Sequence, residues 1–221
     1  MGGAQDNDST SAHPFRPLVL ATGNRGKVLE FQALLGPAGF TLLTPEDLGF
    51  SSEIEETGDT FVANARLKAE ALAALSPHPV LADDSGLEVE ALGGAPGVYT
   101  ARYAAAEAWI DPTGKPLAQA AANRAKLLKT LEGVDRRRAR FRCVLCYLVP
   151  GHEPAFFEGV CEGNIALKES GEGGFGYDPL FIPLGHEKSF GELPAGVKDA
   201  ISHRGQAATA FLDYLEAGKT A

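Results

Sequence analysis

Strand-like and helix-like segments alternate along this chain, so the sequence predicts an α/β fold with a mixed sheet. Three observations carry the prediction. Short apolar runs at residues 18–21, 40–43 and 80–82 have the length of strands. Alanine- and leucine-rich stretches with helical periodicity stand between them. Two longer runs, 138–149 and 155–161, flank the turn Pro150-Gly151-His152-Glu153-Pro154 and read as paired strands.

Residues 1–16 are polar and are expected to form a disordered tail, leaving 17–221 as a single domain. The run at 18–21 enters the loop Thr22-Gly23-Asn24-Arg25-Gly26-Lys27, and a helix follows over 28–35 until Gly36-Pro37 stops it. After the strand at 40–43, residues 51–58 form an acidic linker. Thr57 or Asp59 is placed to cap a helix over 60–75. Pro77 and Pro79 precede the strand at 80–82, which is expected to end in Asp83-Asp84-Ser85-Gly86, a turn-favouring set. A helix over 116–131 ends at Gly133, and a glycine-dense loop at 171–176 precedes 177–182. The last helix, 203–217, has Ser202 as cap and Gly218 as stop.

Composition narrows the function. The 221 residues are 44% hydrophobic, enough for one large domain or two small lobes. A net charge of −9 argues against a nucleic-acid or anionic-membrane binder. Against that background an anionic ligand needs local lysines. No apolar run approaches the ~20 residues of a membrane helix, the first residues lack a hydrophobic signal segment, and Asp6 stands where a myristoylation motif wants Ser or Thr. A cytoplasmic location is expected. Cys143 and Cys146 fall three apart on a strand, on opposite faces, which excludes a shared metal. The basic run from Arg136 to Arg140 reads as a solvated loop with edge charges that discourage strand aggregation.

Four segments carry chemistry. Asp83 and Asp84 are adjacent carboxylates, costly unless a cation sits there or one holds a proton. Mg²⁺ takes one or two carboxylates and completes its shell with substrate phosphates. Residues 22–27 end at a helix N-terminus that favours an anion, with Lys27 as a point charge. The loop is not a Walker A motif, because Val28 follows the lysine. Asn64 and Lys68 lie four apart on one helical face, behind Glu55. Gly173-Gly174-Phe175-Gly176-Tyr177-Asp178 offers flexible backbone and a stacking face for a nucleobase. Lys198, Ser202, His203 and Arg204 add donors at the start of the last helix. Taken singly, each segment is also compatible with a turn, a cap or a solvated face.

Six segments in order resemble the inosine/xanthosine triphosphate pyrophosphatase (Ham1/RdgB) family. They are Ala21-Thr22-Gly23-Asn24-Arg25-Gly26-Lys27, Glu55-Glu56-Thr57-Gly58, Ala82-Asp83-Asp84-Ser85-Gly86-Leu87, the stretch from Gly94 to Tyr103, Gly173-Gly174-Phe175-Gly176-Tyr177-Asp178-Pro179 and Ile201-Ser202-His203-Arg204-Gly205. The resemblance implies an elongated mixed sheet with flanking helices, two lobes around a central nucleotide cleft, and a homodimer. It implies Mg²⁺-dependent hydrolysis of ITP, dITP and XTP to the monophosphate and pyrophosphate. Carried onto this chain, Asp84 is the expected general base and metal ligand, Glu55 the second ligand, and Asp83 close by. Thr22, Gly23, Asn24, Arg25, Gly26, Lys27, Asn64 and Lys68 are expected at the phosphates; Ser85, Phe175, Gly176, Tyr177, Asp178, Lys198, His203 and Arg204 at the nucleoside. Two segments depart from the family pattern: 104–116 is longer and more apolar, and 193–197 lacks an acidic helix start. The rival readings are a Maf-type pyrophosphatase for other modified nucleotides and a nucleotide sensor with a dead site.

Overall fold

The computed structural model describes residues 16–50 and 54–218. Six strands form one sheet in the order β2-β1-β3-β4-β5-β6. They are β1 (Arg16–Leu20), β2 (Phe40–Leu43), β3 (Val80–Val89), β4 (Arg138–Leu148), β5 (Ala155–Ile165) and β6 (Phe181–Pro183). β1 runs parallel to β2 and β3, and the other pairings are antiparallel. The sheet is therefore mixed, with parallel crossovers through helices on one side and hairpin pairing on the other. Arg16 already belongs to β1. The rest of the expected tail lies outside the described residues.

Among the described residues, five α-helices flank the sheet: α1 (Arg25–Leu35), α2 (Phe61–Ala73), α3 (Gln119–Thr130), α4 (Ala195–Ile201) and α5 (His203–Ala217). Their starts are chemical. The Asn24 side chain accepts the Gly26 and Lys27 N–H groups, Thr60 accepts Ala63 N–H, and Ser202 accepts Gly205 N–H. The cap of α2 is thus Thr60, not Thr57 or Asp59. α2 buries Phe61, Asn64, Ala65, Lys68, Ala69 and Leu72, a single stripe that seats on the sheet.

The stripe meets Val19, Ala21, Val80, Ala82, Val144 and Cys146 on one sheet face. α1 and α5 pack Phe31, Leu35, Ala207 and Phe211 against Leu18, Leu20, Leu81, Cys143 and Leu145 on the other. Cys143 and Cys146 therefore sit on opposite faces. A third cluster gathers Leu127 of α3 and Leu131 just after it with Leu87, Phe141, Phe181 and Phe190. β4 is central rather than an edge strand, so the basic run does not guard a sheet edge, although Arg136, Arg138 and Arg140 are exposed as expected of solvated charges. Arg140 lies opposite Glu88 of β3 and pairs with it at 2.5 Å, while Arg137 donates to the carbonyls of Leu131, Ile165 and Ala166.

The expected end of β3 at residue 82 is a turn that does not form. The strand continues through Asp83-Asp84-Ser85-Gly86 to Val89, paired with β4 throughout. Ladder bonds on a long partner override local turn preference. Gly86 has a specific duty here. A Cβ on it would lie 2.4 Å from the Gly97 carbonyl oxygen, so only glycine lets the short 3₁₀ helix Gly97–Arg102 settle on the strand. Thr100 then bridges the two, its Oγ1 accepting Leu87 N–H at 2.8 Å and donating to Gly97 O at 2.6 Å.

Candidate active site

A cleft of about 340 Å³ opens where the N-terminus of α1, the middle of β3, the 97–102 helix and the start of α5 converge. Asn24, Lys27, Glu56 and Asp84 line one end; Phe175, Tyr177, Asp178, Lys198, His203 and Arg204 line the other, with Ser85 and Gly176 also on the wall. Asp84 of β3 and the lysine-bearing loop therefore share one hollow, while Asp83 is buried outside its lining.

The two acids have different surroundings, because successive side chains on a strand point to opposite faces. Asp83 is fully buried towards α1 and α5. It pairs with Lys27, lies 3.4 Å from Arg204 Nε, and accepts from Cys143 Sγ at 3.1 Å. Burial opposes its ionisation, but Lys27, Arg204 and Lys68 outweigh burial and hold the carboxyl well below the ordinary range. Asp84 faces α2 and the cleft. Its Oδ1 accepts from Lys68 Nζ at 2.8 Å, whereas its buried Oδ2 has no partner. Burial raises its pKa, and Lys68 offsets that only in part. The expected mutual repulsion of the pair is relieved by separation across the sheet and by these cations.

Lys68 also donates to Glu56 Oε1 at 2.8 Å, so one ammonium joins Glu56 to Asp84. Burial disfavours the Glu56 carboxylate, yet Lys68 and then Arg102 hold its pKa below the usual value. Glu55, the expected metal ligand, is exposed and lies outside the cleft; its neighbour Glu56 is the residue turned inward. The reason is tertiary: Lys68 and Arg102, from two other elements, both bind Glu56. Asn24 lines the cleft, but its side chain accepts the Gly26 and Lys27 N–H groups at 2.9 and 3.3 Å. Those amides are spent on the helix cap rather than left for an anion. Thr22 Oγ1 accepts Asn24 N–H at 3.1 Å, and Gly23 and Arg25 are exposed. None of these three, nor Asn64 or Asp83, lines the cleft.

At the far end, Lys198 Nζ bonds Asp178 and Glu30, and Arg204 bonds Glu30 and donates to Ser85 Oγ at 2.9 Å. Both cations lie over the Phe175 ring, Lys198 Nζ at 5.0 Å and Arg204 Cζ at 5.7 Å from its centroid. The same ring also abuts Gly26, where a Cβ would stand 2.6 Å from Phe175 Cδ1. His203 stacks on Phe141 at 4.7 Å and leaves Nδ1 buried and unpartnered. Burial, reinforced by Arg204, depresses its pKa well below the ordinary value, so it is neutral at pH 7. Tyr177 is buried, its hydroxyl donating to the Thr100 carbonyl at 3.1 Å.

Sequence reasoning missed Glu56, Glu30, Thr100 and Arg102. Glu30 stands three residues after Lys27 in α1, on the same helical side. That spacing was its available signal. Thr100 and Arg102 sit inside a segment used only for resemblance, with no chemistry assigned to it.

The donor set suits Mg²⁺. Among the described residues no group of three or more His, Cys, Asp or Glu side chains forms a protein-only cage. Two carboxylates facing a cleft, one with an orphaned oxygen, are what a cation completed by phosphate oxygens requires.

Known proteins share this chain's sequence and fold over most of its length. A family model described as Ham1 family matches residues 18–214. The dITP/XTP pyrophosphatase of Bacillus subtilis is 46% identical over 201 residues, 90% of this chain and 96% of that protein. The protein of the same name from Escherichia coli is 45% identical over 207 residues, 91% of this chain and 98% of its own. The structure of the Staphylococcus aureus Ham1 protein superposes with a TM-score of 0.76 at 38% identity, covering 92% of this chain and all of that one.

Proposed function

This chain belongs to the Ham1 family, and we propose from that premise that it hydrolyses deaminated purine nucleoside triphosphates to the monophosphate and pyrophosphate. ITP, dITP and XTP are the substrates. The observation that carries the reading is the shared hollow: the unpartnered Asp84 Oδ2 and Lys27 at one end, with Lys68 bonded to Asp84 from outside the lining, and an aromatic wall with buried cations at the other.

The residues divide the work. Lys27 and Lys68 supply positive charge for the polyphosphate, exchanging carboxylate partners for phosphate oxygens. Asp84 orients a water and accepts its proton as the water oxygen bonds to the α-phosphorus. The bond from that phosphorus to the bridging oxygen breaks, and pyrophosphate leaves with the electron pair. Glu56 and Asp84 are the side chains that would hold Mg²⁺, which when bound neutralises the polyanion and its transition state.

The base end reads a carbonyl. Lys198, Arg204 and neutral His203 present donors beside Phe175. Hypoxanthine and xanthine carry an accepting oxygen at the six-position, whereas adenine carries an amino group that leaves such donors unpaired. Polar reading of this kind discriminates by ~10⁴ or more. The Maf-type alternative is not favoured, since the family match spans nearly the whole described chain. A homodimer remains an expectation of the family resemblance, and a cytoplasmic location one of the sequence's hydropathy; light scattering on the purified protein tests the first.

The deciding experiment is pyrophosphate release from a panel of dITP, XTP, dTTP and ATP, with and without EDTA. Release from dITP and XTP alone, abolished by EDTA, supports the reading. Preference for dTTP, or full activity in EDTA, contradicts it.

A further inference from the structure

Residues 54–59 bring Glu56 to the cleft without belonging to a helix or strand. Such a segment has no ladder of its own, so side chains from elsewhere must fix it. Two of them come from α2. Lys68 Nζ donates to Glu56 Oε1 at 2.8 Å, and Asn64, fully buried, accepts the Gly58 N–H at 2.8 Å. Asn64 thus acts on the loop, although its place on the Lys68 face suggests a ligand contact. The third tie comes from the 97–102 helix. Arg102 Nη1 donates to Glu56 Oε2 at 3.1 Å, and Nη2 donates to the Glu56 main-chain carbonyl at 3.3 Å.

We infer that Arg102 is a positioning residue: it grips the carboxylate and the main chain of Glu56 together and so keeps that acid turned towards Asp84. The inference rests on the proposed reading of the cleft. An exposed ion pair adds little to stability, and Arg102 is partly exposed. Its value is geometric. Two bonds to one residue, one on each side of its rotatable bonds, restrict the Glu56 side chain relative to its own backbone. The guanidinium is steadied in turn by the Tyr99 ring, 5.3 Å away. Because Thr100 and Ala101 of the same helix line the cleft, the grip is anchored in the wall that substrate touches. A lysine has one charged point in place of a fork and can make only part of this contact.

Two measurements on the nucleotide-free protein test the inference. Amide hydrogen exchange over residues 54–58 is compared in wild type, Arg102→Ala and Arg102→Lys. Mn²⁺ uptake is followed by loss of the free-ion paramagnetic resonance signal. Arg102→Ala is expected to speed exchange in 54–58 while α2 is unchanged, and to weaken Mn²⁺ binding about tenfold, with Arg102→Lys between the two. Unchanged exchange, Mn²⁺ affinity within about twofold of wild type, or a wild type that takes up no Mn²⁺ each overturn it. If wild type releases no pyrophosphate from dITP, the functional reading fails instead, while exchange and Mn²⁺ uptake still decide the role of Arg102.

Discussion

Asp83 and Asp84 are neighbours in sequence and lie on opposite faces of β3, one enclosed by Lys27, Arg204 and Cys143, the other turned to Lys68 and the cleft. Their substitutions should therefore fail differently. Asp84→Asn is expected to keep the fold and lose ~10²–10⁴ in turnover, as removal of a general base does. Asp83→Asn leaves buried Arg204 short of an anion and should cost about 3–5 kcal/mol of stability. Urea denaturation and pyrophosphate release on both variants separate the roles, and identical profiles would refute the division.

Lys68 is the ammonium shared by Asp84 and Glu56, and it is nearly buried. Burial works to lower its pKa, but Asp84, Glu56 and Asp83 raise it above the ordinary value. Lys68→Met should destabilise by about 3 kcal/mol or more, because two partly buried carboxylates lose their partner. The same change in an Asp84→Asn background should cost less, with a coupling of about 0.5–3 kcal/mol in a double-mutant cycle. Simple additivity would count against the shared ammonium.

Gly26 lies in the first turn of α1, where alanine would ordinarily be worth about 0.5–1 kcal/mol in helix propensity. Here a Cβ would meet the Phe175 ring at 2.6 Å, so the ring must move. Gly26→Ala is expected to raise KM for dITP more than it lowers kcat, without the stability gain. Wild-type KM together with a raised melting temperature would show that Phe175 does not seat on this turn.

His203 gives stability a pH dependence of defined sign. Its folded pKa lies well below the ordinary value of 6.5 because it is buried and faces Arg204. Above 6.5 neither state carries the proton, and the histidine makes no difference. As pH falls below 6.5 the unfolded chain takes up a proton that the folded chain refuses, so stability is progressively lost, by ~1.4 kcal/mol per pH unit at most. Urea midpoints from about pH 7.5 to about pH 5.5 should fall in wild type and fall less steeply in His203→Gln. Parallel slopes would contradict the neutral, buried state.

Much of this was legible in the sequence because it is local. The cap Ser202, the stops Gly36 and Gly218, and the hairpin around Pro150 are decided within a few residues. What escaped is set at a distance. β3 passes through Asp83-Asp84-Ser85-Gly86 because β4 supplies hydrogen bonds along its whole length, which no local propensity reports. α4 is short and has no side-chain cap, so it left no mark. In the site, the glycine loops, lysines and acids stood out by type. The choice between Glu55 and Glu56 did not, since it depends on Arg102 and Lys68 arriving from other elements. Nor did Glu30, whose two cations lie more than 160 residues away in sequence.

Water oriented by Asp84 in this cleft is expected to attack the α-phosphorus of a deaminated purine triphosphate. Hydrolysis of dITP in ¹⁸O-water, with products resolved by mass spectrometry, reports the atom attacked. All label in dIMP and none in pyrophosphate is the predicted result. Label in pyrophosphate, or dIDP and orthophosphate as products, would contradict it.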